Sequence, residues 1–332
     1  MTPALRILLS PEARQELAPE IASVLGLRAF ELVTVAEVAD QPLAGVDLAF
    51  VSRDVTGLST KHVLTEGLQS FYAVLRRSEA LRWVHIHSAG ADRPIYPELR
   101  ARGVQVTTSS GANAGVVAQT ALAGLLALAR RFPQLMAAQQ ACTWAPLVSG
   151  SLPRDLAGQT AVLVGWGPIG QQLGAFLRLL GLRLIVVRHS QAASDQEGVE
   201  QVSFADLRAV LGRADWLLLA CPLTPQTKGL VDGALLAALP PGACLINVAR
   251  GEVVVEQDLI AALRAGRLAG AYLDVFEHEP LASDSPLWGL ANVMLTPHSA
   301  GHSDGNRRRV AELFLANLAR WQAGQPLQHT GI

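Results

Sequence analysis

The stretch over 162–170, Val-Leu-Val-Gly-Trp-Gly-Pro-Ile-Gly, constrains the fold of this chain more than any other segment. Its pattern is that of a buried strand that runs into a glycine-rich turn and then a helix, with Gly165, Gly167 and Gly170 spaced as G-x-G-x-x-G. Glycine permits a tight turn and leaves backbone N–H groups bare at the positive end of the following helix, where a pyrophosphate can bind. We therefore predict a dinucleotide-binding turn, and its central position implies that another domain precedes it.

The residue that ends the next predicted strand, 184–187, bears on which dinucleotide binds. NAD-binding folds usually place Asp or Glu there, whereas this chain has Arg188, with Ser190 two residues later. A guanidinium can hold a ribose 2′-phosphate through charge-assisted hydrogen bonds, each worth roughly 1.5–3 kcal/mol. We predict that NADP(H) is preferred and that NAD(H) is accepted less well. The alternative is that Arg188 stacks on the adenine ring.

Composition excludes several classes of function. The 332 residues suggest about two domains, and the net charge of −1 gives no electrostatic reason to bind nucleic acid or a membrane. The longest apolar stretch, 121–129, is too short to span a bilayer, and the start of the chain is too short in its apolar part for a signal peptide. Cys142, Cys221 and Cys244 show neither metal-ligand spacing nor a disulfide framework, so we expect a cytoplasmic protein.

Strands and helices alternate through two successive parts of the chain, which is typical of α/β folds with a doubly wound parallel sheet. The predicted strands are 6–9, 48–51, 83–86 and 104–107, then 161–164, 184–187, 216–219, 244–248, 270–273 and 293–296. Helices are predicted at 11–25, 60–77, 113–131, 171–180 and 310–322. Because a lone amphipathic helix cannot bury its apolar face, the last of these should return to the first domain. The chain would then cross between domains twice, and we expect a cleft there.

Three polar residues follow predicted strands at their carboxyl ends, where open α/β sheets bind ligands: Arg250, Glu279 and His298. An arginine can bind a substrate carboxylate bidentately and polarise a carbonyl. A histidine can deliver a proton to a nascent alkoxide, and a neighbouring carboxylate favours the imidazolium and fixes which nitrogen faces the substrate. The three therefore suit hydride transfer to a 2-keto acid, although each alone is equally consistent with a salt bridge or a cap.

Together these segments resemble the D-isomer-specific 2-hydroxyacid dehydrogenase family, over about 81–323. The motifs are 165–170 (Gly-Trp-Gly-Pro-Ile-Gly), 222–229 (Pro-Leu-Thr-Pro-Gln-Thr-Lys-Gly), 245–251 (Leu-Ile-Asn-Val-Ala-Arg-Gly), 274–280 (Asp-Val-Phe-Glu-His-Glu-Pro) and 296–300 (Thr-Pro-His-Ser-Ala). The resemblance implies two Rossmann-like domains, a discontinuous substrate-binding domain at 1–110 and 299–332 and a dinucleotide-binding domain at 111–298. It also implies a homodimer formed through the helix that begins near Asn113.

The resemblance assigns roles to further residues. It implies that Arg250, Glu279 and His298 are the catalytic triad, and that Ala89 and Gly90 hold the substrate carboxylate through backbone N–H groups. Together with the glycine turn and the position of Arg188, where the family usually has Asp, it gives these expected cofactor contacts: Gly165, Gly167, Pro168, Ile169, Gly170, Arg188, Ser190, Cys221, Pro222, Thr227, Val248, Ala249, Asp274 and Ala300. No metal is implied.

The activity implied is reduction of a small 2-keto acid, of the glyoxylate or hydroxypyruvate class, to a D-2-hydroxy acid by NAD(P)H, with His298 as proton donor. Arg53 is a candidate substrate contact, with a surface salt bridge to Asp54 as the alternative. Two other functions stay open. One is oxidation of 3-phosphoglycerate, which would need a basic phosphate site, and the other is a non-catalytic dinucleotide sensor of the same fold.

Overall fold

The computed structural model describes residues 4–39, 41, 45–148, 152–189 and 198–330. The chain divides into two compact units: unit 1 consists of Met1–Asn113 and Ser303–Ile332, and unit 2 of Ala114–His302. Each unit contains one sheet, and every pairing between the described strands is parallel. The predicted class, two α/β domains built on parallel sheets, is confirmed.

Unit 1 has a five-stranded sheet in the order β2-β1-β3-β4-β5. Numbered along the chain, its strands are β1 (Leu5–Leu8), β2 (Phe30–Val33), β3 (Leu48–Val51), β4 (Trp83–Ile86) and β5 (Gln105–Thr108). Its helices are α1 (Pro11–Leu25), α2 (Val35–Val38), α3 (Arg53–Thr56), α4 (Glu66–Arg77), α5 (Ile95–Ala101) and the last helix of the chain, α12 (Asn306–Gln322).

The last helix belongs to the core of unit 1. Phe314 of α12 is fully buried and stacks on Phe50 at a ring-centroid distance of 4.7 Å and on Trp83 at 5.6 Å. Burying one such aromatic side chain contributes about 1.5–3 kcal/mol, and the stacked pairs add to this. The apolar face of α12 therefore completes a core that the first hundred residues leave open.

Unit 2 has a seven-stranded sheet in the order β12-β11-β10-β9-β6-β7-β8. Its strands are β6 (Thr160–Val164), β7 (Arg183–Arg188), β8 (Val199–Ser203), β9 (Trp216–Leu219), β10 (Ala243–Asn247), β11 (Leu268–Leu273) and β12 (Val293–Leu295). Its helices are α6 (Ala114–Ala129), α7 (Phe132–Gln140), α8 (Pro168–Leu179), α9 (Leu207–Leu211), α10 (Gly233–Ala238) and α11 (Glu256–Arg264), with single 3₁₀ turns at Phe204–Asp206, Gly251–Val253 and Pro286–Gly289.

The strand order of unit 2 reverses between β6 and β9. From β6 the chain builds outward through β7 and β8, and it then returns to build the other side from β9 to β12. Such a switch point is where an open α/β sheet binds its ligand, outside the carboxyl ends of the strands. The glycine turn predicted from the sequence follows β6 and so lies at this point.

Most strand and helix predictions agree with the structure, and the exceptions have physical reasons. The helix predicted at 60–77 is wrong over 60–65, because the Thr60 hydroxyl accepts hydrogen bonds from His62 N and Val63 N and forms a turn, so that α4 begins at Glu66. The helix predicted at 113–131 ends at Ala129, and the left-handed Arg131 separates it from α7. Strands β2 and β8 were not predicted. Both are edge strands and lack a continuous buried run.

The described residues contain no helix whose length and hydrophobicity would let it cross a lipid bilayer.

Candidate functional site

The turn after β6 has the geometry of a pyrophosphate cradle. Gly165 has φ +105°, and a Cβ atom there would lie 2.6 Å from Ala220 O. A Cβ on Gly170 would overlap Gly165 O, whereas one on Gly167 would meet nothing within 4 Å. The first and third glycines are therefore needed for the turn and for the close approach of helix to strand, and the second leaves open space where a ligand can reach the backbone. The residues present fit a dinucleotide.

Helix α8 begins inside this turn. Gly167 is its N-cap and Pro168 its first residue, while the backbone N–H groups of Ile169 and Gly170 donate to no acceptor among the described residues. These are first-turn N–H groups at the positive end of the helix, and they can donate to phosphate oxygens. Gly167, Pro168, Ile169 and Gly170, which the sequence analysis expects to contact the cofactor, thus form the start of this helix.

Arg188 is the last residue of β7 and is half-buried. The preceding residue, Val187, accepts a hydrogen bond of 2.8 Å from Gly165 N, so Arg188 lies one residue away from the glycine turn. Ser190, the neighbouring cofactor candidate, lies outside the described residues.

The segment after β9 contributes a small hydrogen-bonded turn. The Thr227 hydroxyl donates to Pro222 O over 2.6 Å and accepts from Thr224 N over 2.8 Å, and Thr227 is buried. Cys221 is buried, and this burial raises the pKa of its thiol to about 12. Of the three cofactor candidates here, only Pro222 is exposed, and Thr227 uses its hydroxyl to hold the turn.

Arg250 follows β10 in a loop that is held from two sides. The Asn247 side chain accepts from Ala249 N over 3.0 Å and donates to Arg250 O over 3.2 Å. A Cβ atom on Gly251 would overlap the Phe276 backbone, so only glycine lets this loop lie against the segment that leads to Glu279. Val248 and Ala249 are buried, and the guanidinium Nη1 of Arg250 donates to Ala249 O over 2.7 Å.

Glu279 and His298 form a direct pair, with Nδ1 of the histidine 2.8 Å from Oε2 of the glutamate. Glu279 also accepts from Phe276 N through Oε1, over 3.1 Å. Its side chain is 13% exposed and that of His298 is 51% exposed. Nδ1 is occupied by the carboxylate, so Nε2 is the ring nitrogen that can act on a ligand. Glu277, the other glutamate of the motif, is exposed.

The three residues of the predicted triad share one charged neighbourhood. They follow β10, β11 and β12, which are adjacent in the sheet. Burial raises the pKa of Glu279, but the hydrogen bond and charge of His298, the Phe276 N–H group and the charge of Arg250 together hold that pKa below its ordinary value. A cation, a carboxylate and an imidazole in this arrangement can orient a carboxylate-bearing substrate and transfer a proton to an oxygen atom.

Asp274 anchors the loop that carries His298. Its side chain accepts from the Thr296 hydroxyl over 2.6 Å, from Ser299 N over 2.8 Å and from Ala300 N over 3.0 Å. His298 itself has φ +50°, a left-handed conformation that few non-glycine residues adopt, and its N–H donates to Asp274 O. Asp274 and Ala300, predicted to contact the cofactor, are both 2% exposed. In the structure, the hydrogen bonds between the Asp274 side chain and the backbone N–H groups of Ser299 and Ala300 hold this loop in place.

Unit 1 places backbone N–H groups and an arginine at the carboxyl ends of β3 and β4. The backbone N–H groups of Ala89 and Gly90 donate to no acceptor among the described residues, and the Ser88 hydroxyl shapes the loop by donating to Gly90 O over 2.8 Å. Arg53 follows β3, and its side chain makes no hydrogen bond or ion pair within the described part of the chain. Burial lowers the pKa of Arg53, and the nearby charge of Arg93 lowers it further.

Sequence reasoning missed three of these residues. Arg93 belongs to no recognisable sequence motif, and only the fold brings it near Arg53. Thr296 and Asn247 lie inside the motifs 296–300 and 245–251, but neither is ionisable and neither was predicted to have a role. A signal for both exists in the sequence, since each is a polar residue within three positions of a predicted catalytic residue.

Comparison with known proteins agrees with this geometry. Residues 122–300 match the family model of the D-isomer specific 2-hydroxyacid dehydrogenase NAD binding domain. A glyoxylate reductase of Thermococcus gammatolerans is 32% identical over 280 residues, which is 82% of this chain and 81% of that protein.

Two solved structures resemble the whole chain. One is a D-isomer specific 2-hydroxyacid dehydrogenase from Xanthobacter autotrophicus in complex with NADPH and MES, with a TM-score of 0.75, 29% identity and coverage of 98% and 97% of the two chains. The other is an NADPH-dependent glyoxylate/hydroxypyruvate reductase from Sinorhizobium meliloti in complex with NADP and sulfate, with a TM-score of 0.72, 29% identity and 98% coverage of each chain. The chain belongs to the D-isomer specific 2-hydroxyacid dehydrogenase family, and unit 2 carries its domain for a nicotinamide dinucleotide.

Proposed function

We propose that this protein reduces a small 2-keto acid of the glyoxylate or hydroxypyruvate class to the D-2-hydroxy acid. The observation that carries the proposal is the Glu279–His298 pair, with 2.8 Å between Oε2 and Nδ1 and with Nε2 left for the substrate. The similarity to a glyoxylate reductase over most of both chains supports the substrate class.

Each proposed step uses a group already described. The Arg250 guanidinium holds the substrate carboxylate and polarises the carbonyl at C2. A nicotinamide dinucleotide held at the glycine turn would supply the hydride for C2. His298 gives the proton on Nε2 to the carbonyl oxygen, and Glu279 keeps the imidazole oriented through Nδ1. The product is the 2-hydroxy acid, and His298 is left neutral until solvent reprotonates it.

The direct test is a panel of 2-keto acids of increasing size, with NADPH oxidation followed at 340 nm. We expect the highest kcat/KM for glyoxylate or hydroxypyruvate and a steep decline for branched or aromatic side chains. If no 2-keto acid is reduced while the dinucleotide still binds, the sensor function left open by the sequence replaces the proposal.

A second substrate class is favoured by one observation, the Arg53–Arg93 pair. Two neighbouring guanidinium groups suit a second anionic group on the substrate, such as a phosphate. A 3-phosphoglycerate-like substrate is therefore the alternative. The same assay run in the oxidative direction with 3-phosphoglycerate distinguishes the two, because only this alternative predicts turnover that Arg53→Ala abolishes.

We propose that NADP(H) is the preferred cofactor, on the basis of Arg188 at the end of β7. We expect kcat/KM for NADPH to exceed that for NADH by at least about 10-fold, because a guanidinium–phosphate contact is worth roughly 1.5–3 kcal/mol. Arg188→Asp should reverse the preference, since it repels the 2′-phosphate and offers a ribose acceptor. Arg183→Asp, at the other end of the same strand, is the matched control and should leave the ratio unchanged. An NADH preference in the unaltered protein contradicts this assignment.

We propose that the protein is a homodimer formed through α6 and the segment after it. Helix α7 contains no buried residue, and apolar side chains along this segment are exposed, among them Phe132, Met136 and Trp144, the last at 94%. Several large apolar side chains exposed along one segment are typical of an interface. Sedimentation equilibrium should give twice the chain mass, and Met136→Glu with Trp144→Glu should give a monomer. A monomeric unaltered protein would reject the proposal.

We further propose a location in the reducing cytoplasm. All three cysteines are free, and two of them, Cys221 and Cys244, are buried with thiol pKa values raised by that burial to about 12. Such thiols are inert and suit a protein that forms no disulfide.

A further inference from the structure

A chain of buried hydroxyl groups lies behind the His298 loop. The Tyr272 hydroxyl is 2.6 Å from Thr296 Oγ1, and Thr296 donates to Asp274 Oδ1, also over 2.6 Å. Because Thr296 has one hydroxyl hydrogen and uses it on Asp274, Tyr272 must be the donor in the first bond. Burial raises the pKa of Tyr272 to about 12, so the hydroxyl keeps its proton. The direction of the chain is thus fixed from Tyr272 to Asp274.

This chain ends on the backbone of the loop. The same Oδ1 atom of Asp274 accepts from Ser299 N over 2.8 Å and from Ala300 N over 3.0 Å, and His298 lies next to Ser299. The left-handed backbone of His298 is a conformation that persists only where the surroundings hold it. The contacts of Asp274 supply that restraint.

Helix α6 supports the loop from its other side. A Cβ atom on Gly124 would overlap the Tyr272 ring, so this glycine lets the ring lie directly against the helix. One turn earlier, the Thr120 hydroxyl lies 3.1 Å from Ala300 O. The Tyr272 ring is therefore clamped between α6 and the sheet, and the position of its hydroxyl is set by packing as well as by hydrogen bonding.

We propose that Tyr272 is a positioning residue for proton transfer, acting through Thr296 and Asp274 to hold His298 where Nε2 meets the substrate oxygen. This inference rests on the proposed function, because it assigns His298 the proton. Tyr272 touches neither the reacting atoms nor Glu279. Its contribution is to keep the loop from relaxing out of the strained conformation.

The test compares single-hydroxyl deletions in the full-length protein. Tyr272→Phe removes the hydrogen bond to Thr296. Thr296→Val removes that bond and the bond to Asp274, whereas Thr296→Ser keeps the hydroxyl that makes both. Tyr96→Phe is the matched control, because its buried hydroxyl lies in unit 1, where it interacts with Tyr72 and Arg93 and not with the His298 loop. For each variant we would measure kcat and KM for the 2-keto acid, the Kd for NADPH, the solvent deuterium isotope effect on kcat, and Tm.

We expect kcat to fall about 5- to 20-fold in Tyr272→Phe and further in Thr296→Val, since small misplacements of a reacting group are costly. KM and the NADPH Kd should stay within about 2-fold, and the isotope effect should rise because proton transfer becomes slower. Thr296→Ser and Tyr96→Phe should keep kcat near that of the unaltered protein.

Two results would overturn the inference. One is a kcat for Tyr272→Phe within about 2-fold of the unaltered protein; the other is a fall in kcat with no rise in the isotope effect and with an equal loss of NADPH affinity. Failure of the proposed function has a different signature, because His298→Ala would then remain active. The two failures are thereby separated.

Discussion

Replacing His298 with Ala is expected to reduce kcat for 2-keto acid reduction by about 10²–10⁴-fold, the usual contribution of a positioned general acid. The physical reason is that Nε2 is the proton donor and that Glu279 holds this ring in place through Nδ1. Stopped-flow or steady-state oxidation of NADPH measures the loss. The NADPH Kd, measured by fluorescence titration, should stay within about 2-fold, because the His298 side chain is not among the cofactor contacts that we expect.

The matched control for this variant is His302→Ala. This residue lies four positions later and is exposed, and we assign it no part in the reaction. Its kcat should remain within about 2-fold of the unaltered protein, the range usual for surface changes. Turnover by His298→Ala at the level of this control would remove the basis of the proposed chemistry.

Glu279→Gln should change the pH dependence of the same reaction. The depressed pKa of Glu279 lies below the ordinary 4.5, so its carboxylate is charged above about pH 4.5 and accepts the hydrogen bond that orients His298. Gln keeps the shape and removes that charge. The rate of the unaltered protein should therefore decline as the pH falls through the pKa of Glu279, whereas the variant has no carboxyl group there to titrate and should lack this acidic decline. Superimposable pH profiles would mean that Glu279 does not act through His298.

Much of the fold could be predicted because parallel strands that are covered on both faces are continuous apolar runs. The strands at 48–51, 83–86 and 216–219 were predicted at the bounds that β3, β4 and β9 have. The edge strands β2 and β8 were missed because only one of their nine residues is fully buried, and a period of two cannot be recognised in four or five mixed residues. These two strands are defined by the neighbours with which they pair.

The candidate site divides in the same way. Gly165, Gly170 and the Glu279–His298 pair could be predicted because each belongs to a short motif with a local reason for its spacing. The Arg53–Arg93 and Tyr272–Thr296 contacts could not, because the partners are 40 and 24 positions apart and no local rule relates them. Contacts of this kind depend on strand order and on the packing of helices against the sheet, which the folded structure shows and local sequence patterns do not.

Arg250→Lys is expected to lower kcat/KM for the 2-keto acid by about 10²–10³-fold, although the positive charge is kept. The guanidinium is fixed by its bond from Nη1 to Ala249 O, over 2.7 Å, and its remaining donors form a planar fork that matches a carboxylate. A lysine ammonium offers no such fork. Both kcat and KM should change, because the same group binds the carboxylate and polarises the carbonyl.

The control for this variant is Arg267→Lys in the same unit. Arg267 donates to the backbone oxygens of Ala237 and Leu239, so its replacement should lower Tm while kcat/KM stays within about 3-fold. The geometry of Arg250 gives a second criterion. In Arg250→Ala, added guanidinium ion should restore part of kcat, because a free fork can occupy the vacated position, whereas added ammonium should not. Equal recovery with both ions would mean that charge alone is required, and the bidentate arrangement proposed for the substrate carboxylate would then be wrong.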